Sequence, residues 1–280
     1  MEATQSDGVD PGDALMSRLM GGPASALKVM AWVRLLTTSD LALAVGIPKR
    51  SSRRLLYRLG RQKLVRRNRF SLAGNGGSTW IYTLSAAGAR SASELLGYKV
   101  PGRRRGAVNT ALLNHRLDTT RVLCSAISAL SDRLVSIHTG RGLASLFTHT
   151  SRIAKYLPDA TLAFRVGEGG RCFVRRAFLE VDRGTEDSRV LHDKLHALHE
   201  YYALEHFHSD FKSDRLVVLF TVPGEGRLRT IEQVVRAVHP CVRVFVRQHK
   251  ECVRPETFLS GWRDPVTAET HCLSNAGPAE

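Results

Sequence analysis

The sequence predicts a mixed α/β chain, α+β in its broad class, made of a small helical module closed by a β-hairpin and a larger layered domain with a mixed sheet. Three observations predict it. Helical periodicity and short apolar runs follow one another in a defined order along the 280 residues. A basic stretch broken by Pro and Gly, Lys99–Gly106, cuts that order in two. The hydrophobic share of 43% suits packed cores and argues against wholesale disorder, and the length suits about two domains at roughly 150 residues each.

The first apolar stripe, from Ala26 to Leu36, uses Leu27, Val29, Met30, Val33 and Leu35 or Leu36 at helical spacing. Thr37-Thr38-Ser39-Asp40 offers a cap for a short helix over Leu41–Val45, which Gly46-Ile47-Pro48 breaks. Ser51 or Ser52 is the expected cap of a third helix. There Leu55, Leu56 and Leu59 bury, while Lys49, Arg50, Arg53, Arg54, Arg58 and Arg61 stay free. Leu64-Val65 opens an extended segment carrying Arg66, Arg67 and Arg69. The Gly74-Asn75-Gly76-Gly77 turn then leads to Trp80–Leu84. Two helices joined by a Gly turn, then a hairpin, are the order of a winged helix-turn-helix.

The charge is segregated. The formal net charge is +15, and from Leu41 to Ser93 there is no Asp or Glu. Residues 49–69 hold ten Lys and Arg, Lys63 and the nine just named. A basic concentration of that kind predicts double-stranded DNA as partner, met through its phosphates. No apolar run approaches the ~20 residues that cross a bilayer, and the polar first 25 residues have no signal pattern, so no membrane and a cytoplasmic location are expected. Five scattered cysteines without a CxxC pair support neither a disulfide framework nor a zinc ribbon.

A further helix is read over Ser85–Tyr98. In the second part a helix is expected over Thr110–Leu130, strands at Leu134–His138, Thr161–Val166, Phe173–Val181, Leu216–Val222 and Val242–Arg247, and helices over Ser188–His206 and Arg227–Val238. The boundaries read as a disordered leader 1–25, a winged helix 26–98, a linker 99–108, a layered domain 109–265 and a disordered tail 266–280.

Pro158-Asp159 is followed, twenty-one residues after the aspartate, by Glu180-Val181-Asp182-Arg183-Gly184-Thr185-Glu186. Both acids end apolar runs that read as neighbouring strands, with a hairpin turn at Gly167–Gly170. Glu180 sits in an apolar strand, where an unpaired charge is costly. A partner is therefore expected, either a hard divalent cation, Mg²⁺ with Mn²⁺ as substitute, or an arginine. Asp182 is open as a third ligand or as the acceptor of Arg183 or Lys194. Thr185 and Glu186 read as the cap of the following helix. His192, His196 and His199 share one helical face, but without an HExxH glutamate they read as solvated or core-edge side chains.

Leu113-Asn114-His115-Arg116-Leu117, Leu157-Pro158-Asp159-Ala160, the run Phe178–Glu186, and Lys194 with Tyr201 together resemble the replication-relaxation family of plasmid and mobile-element proteins. The resemblance spans about residues 26–265. It implies a winged helix fused to a restriction-endonuclease-like domain of the PD-(D/E)-x-K type, associated with plasmid replication and relaxation, with replication or mobilisation proteins as further partners. In nucleases of that type, Asp159 and Glu180 match the two metal-binding acids. Asp182 stands where they carry the catalytic lysine, and Lys194, on the flank shared with Tyr201, is read as a migrated lysine. A DNA-binding replication accessory, a Mg²⁺-dependent endonuclease or nickase, and a winged-helix transcriptional regulator are the three functions this predicts; a homodimer is open.

Overall fold

A computed structural model of the chain describes residues 22–71, 78–101, 110–147, 157–168, 171–213 and 215–274. The expected Gly74–Gly77 turn, the Arg103–Arg105 knot, Gly169-Gly170 and most of the leader lie outside the described residues.

The first part is α1 (Pro23–Val33), α2 (Thr38–Val45), α3 (Lys49–Arg61), an antiparallel hairpin of β1 (Val65–Ser71) and β2 (Ser78–Leu84), and α4 (Ala86–Leu96). α2 starts on a capping box: Asp40 N–H donates to Thr37 Oγ1 at 3.3 Å, and Thr37 N–H to Asp40 Oδ2 at 2.7 Å. Gly46 closes it in the left-handed conformation at φ 66°. α3 differs from expectation at its start. It begins at Lys49 behind Pro48 with no side-chain cap; Ser52 is buried and donates its hydroxyl to Thr38 O instead, at 2.9 Å. Proline restricts the preceding residue and not the following one, so the helix starts directly after it.

The second part runs α5 (Thr110–Leu130), β3 (Leu134–Thr139), α6 (Gly140–Ala144), β4 (Ala160–Glu168), β5 (Arg171–Val181), α7 (Ser188–Ala203), α8 (His206–Phe211), β6 (Leu216–Val222), α9 (Glu225–Val238), β7 (Arg243–Gln248), α10 (His249–Cys252), α11 (Pro255–Phe258), β8 (Trp262–Arg263) and β9 (Thr270–His271). The seven strands lie in sequence order in one mixed sheet. β5, β6 and β7 are parallel neighbours; the other pairings are antiparallel. β6, LVVLFTV, is buried throughout, as a central parallel strand covered on both faces must be. Its alternate residues divide. Val217 and Leu219, with Phe245, join α5 and the N-terminal helices, while Val218, Phe220 and Val222 join α7 and α9.

The long helix expected over Ser188–His206 ends at Ala203. Glu205, at φ 57°, turns the chain into a separate α8. The order extends past residue 265, where a tail was expected: β9 pairs with β8, and Leu273 is fully buried.

The two parts share an apolar core. One cluster runs from Ala26, Met30 and Leu41 through Val122 and Ile127 of α5 to the sheet. Leu35 and Ile81 pack with Leu113 and Leu117. Thr120 Oγ1 donates to Leu35 O at 3.0 Å, and Thr139 Oγ1 to Trp32 O at 2.7 Å. Among the described residues no helix is long and apolar enough to cross a membrane.

Candidate functional site

The basic surface follows from the amphipathicity of α3. Ser52, Leu55, Leu56 and Leu59 are buried, so the other faces, Lys49, Arg50, Arg53, Arg54, Arg58 and Arg61, are exposed. Tyr57 stands among them, 65% exposed. On β1, Arg66, Arg67 and Arg69 are exposed as well. Two of these guanidinium groups are held in place: Arg67 lies over the Trp80 ring, 4.2 Å from its centroid, and Arg69 Nε donates to Ser78 Oγ at 2.7 Å.

The acidic residues meet beside the first turns of α5, around His115. Asp159 precedes β4 and its N–H donates to Leu179 O on β5, which carries it next to Glu180 in the sheet. Its Oδ2 accepts Val181 N–H at 2.9 Å, and its Oδ1 lies 2.7 Å from His115 Nε2. Glu180 on β5 and Asp182, one residue past its end, turn the same way, toward α7 and α9. Lys194 reaches from α7 to place Nζ 3.0 Å from Glu180 Oε2 and 3.5 Å from Glu186 Oε2. Glu180 Oε1 is buried and has no hydrogen-bond partner among the described residues. Asp159, Glu180, Asp182, Glu186, Lys194 and His115 all line one cleft of about 300 Å³.

Burial raises the Glu180 carboxyl to about 8, with Lys194 pulling it down and the negative charge of Asp159 pushing it further up. Lys194 is raised as well, because the attraction of Glu180 and Glu186 outweighs its own desolvation. His115 is raised by its bond to Asp159. The shifts agree in sense: an acid-rich pocket holds its protons more tightly than water does.

Asp182 is not bonded to Arg183 or Lys194. Its Oδ2 accepts Arg227 Nε from α9 at 2.5 Å and its Oδ1 accepts Gly184 N–H at 2.6 Å. Arg183 turns instead to Asp118 at 3.3 Å. Neither Thr185 nor Glu186 caps α7; Asp187 does, accepting Val190 N–H at 2.8 Å. Tyr201 is buried and donates its hydroxyl to Asp210 at 2.6 Å, away from the cleft. His199 Nδ1 accepts Cys241 N–H at 3.1 Å. Among the described residues no three His, Cys, Asp or Glu side chains are grouped to hold a metal ion.

Sequence reasoning alone gives no role to His115, Asp118 or Arg227. The signal for the first two is present: Leu113 and Leu117 bury one face of α5, which turns His115 and Asp118 together to another side, three residues apart. Arg227 lies 45 residues from Asp182 and gives no local signal.

Fold and site together define a mixed α/β protein with a basic helix–hairpin surface and a carboxylate cleft on either side of one long helix. The family model for replication-relaxation proteins matches residues 27–212, about two thirds of the chain, and the chain belongs to that family. Comparison with curated proteins and with solved structures gives no match.

Proposed function

We propose that the protein binds duplex DNA and acts in the replication or relaxation of plasmid DNA, with α1–α3, the β1–β2 hairpin and α4 serving as a winged helix. The observation that carries this is the exposed surface running from α3 through Lys63 to β1, ten Lys and Arg between residues 49 and 69 with no acid among them. A solvated face has no need to exclude carboxylates over fifty residues, whereas a surface that meets phosphates does. The replication-relaxation family supports a DNA-directed role. The test is binding of the full chain to duplexes in a salt series. Changing Arg53, Arg54 and Arg58 to Ala should weaken binding to every sequence and reduce the log–log salt slope by about 0.9 for each phosphate no longer neutralised. An unchanged slope would remove α3 from the interface.

A second reading, a Mg²⁺-dependent nickase with a restriction-endonuclease-like domain, is favoured by one observation. Glu180 Oε1 is buried without a partner among the described residues, beside Asp159. Two carboxylates suffice for Mg²⁺, which keeps several waters and takes substrate phosphate oxygens, so the lack of a three-residue cluster does not disqualify the pair. Asp159 and Glu180 would hold the ion, which when bound supplies charge stabilisation at a phosphodiester and a more acidic water. Lys194 orients Glu180 and balances its charge, and His115 fixes the Asp159 carboxylate. Asp182, anchored to Arg227, braces the end of β5. Nicking of supercoiled plasmid with Mg²⁺ or Mn²⁺, lost in Asp159→Ala, is the expected result; equal nicking by both proteins would assign it to a contaminant.

A further inference from the structure

Beside the carboxylate cleft, two guanidinium groups and an imidazole converge on one acid. Arg121 Nη1 lies 3.0 Å from Asp118 Oδ1, Arg183 Nε 3.3 Å from Asp118 Oδ2, and His249 Nε2 3.9 Å from Asp118 Oδ1. We propose that Arg121, Arg183 and His249, gathered on Asp118, form a subsite for a DNA backbone phosphate next to the cleft. The proposal rests on the DNA-binding reading above and adds a second region of contact to it.

Three features support it. One carboxylate faces two permanent guanidinium charges, which leaves a net positive spot at the rim of an acid-rich cleft. Each guanidinium carries five N–H donors and the bonds to Asp118 use one apiece, leaving donors in the planar fork that suits phosphate. The Arg121 and Arg183 side chains are 42% and 37% exposed, open to a ligand from solvent. Placement agrees: Arg183 follows β5 and His249 follows β7, so both stand at the carboxyl ends of parallel strands, where open α/β sheets receive ligands. Asp118 lies one helical turn from His115, which binds Asp159 across the cleft. A strand whose phosphate rests on the arginines therefore lies alongside Asp159 and Glu180. As a stability device the cluster would be weak, because exposed ion pairs contribute little.

The test is fluorescence anisotropy of the full chain with a labelled random-sequence duplex across about 50–200 mM salt. The double variant Arg121→Gln/Arg183→Gln should lower the log–log slope by about 1.8, two phosphates at about 0.9 each, and weaken binding on the order of tenfold. Asp118→Asn should act in the opposite sense and tighten binding several-fold, because it frees the cations while leaving them in place. A purely structural cluster would give no tightening in Asp118→Asn, which overturns the subsite even if the double variant fails to fold. A wild-type slope in the folded double variant overturns it too. In either case, loss of binding in the Arg53, Arg54 and Arg58 triple variant leaves the DNA-binding reading intact. Failure of the wild-type chain to bind any duplex overturns both.

Discussion

Lys194, on the second turn of α7, lies 3.0 Å from Glu180, on the adjacent strand β5, and both side chains are almost wholly withdrawn from solvent. Removing one partner of such a pair leaves a buried charge that must find a proton. Lys194→Met should therefore destabilise the protein by about 3 kcal/mol near pH 8, and by less at pH 5, where Glu180 holds its own proton. The double variant Lys194→Met/Glu180→Gln should recover part of that stability. Urea denaturation of the four proteins at both pH values gives the coupling directly; additive effects would mean that the two side chains do not sense each other.

Glu180 also predicts a pH dependence. Its carboxyl is raised from 4.5 to about 8 in the folded protein, so the native state binds a proton that the unfolded chain releases. That contribution is fully present below about pH 4.5 and is lost as pH rises through about 8. At about 1.4 kcal/mol per unit its upper limit is about 5 kcal/mol. Glu180→Gln lacks it, and should gain stability relative to the wild type as pH rises from 5 to 8.5 without added metal. Parallel stability curves for the two proteins would show that Glu180 titrates normally.

The shared core predicts cooperative unfolding. Leu117 of α5 packs with Leu35 and Ile81 from the first part of the chain. Leu117→Ala should cost about 2–4 kcal/mol and lower a single transition rather than split it. Fluorescence from Trp32, Trp80 and Trp262 and far-UV circular dichroism should melt together. Two separated transitions would indicate that the halves unfold independently.

Gly88 supplies a steric test within α4. A Cβ there would come within 2.0 Å of Leu64 O, a backbone atom that cannot swing away. Gly88→Ala should thus destabilise by about 1–3 kcal/mol or more, despite the better helix propensity of alanine. A neutral thermal shift would place α4 further from the chain entering the hairpin.

The elements legible in the sequence are those with a strong local signal. α5 and β6 match their expected bounds because one carries a long amphipathic stripe and the other six apolar residues interrupted only by Thr221. The mixed sheet follows from the order of strands and crossover helices. β8 and β9, two residues each, are too short to show a period and exist only through pairing with β7 and with each other. The break between α7 and α8 depends on the backbone of Glu205, a residue with no special tendency to adopt it. At the site, Asp159 beside Glu180 is readable because two apolar runs end in acids. The partners His115 and Arg227 are not, since they come from elements 44 and 45 residues away and only the fold brings them in.

α5 touches the hairpin module with Leu113 and Leu117 and holds the cleft aspartate with His115, all within five consecutive residues. The basic surface and the cleft are thereby joined by a strut and not by a tether. A duplex gripped by α3 would meet the cleft at a constant offset, a ruler whose length is set by the packing of α5 against both parts. Any strand event in the cleft would then fall a fixed number of base pairs from the place where the protein sits, whatever the sequence between.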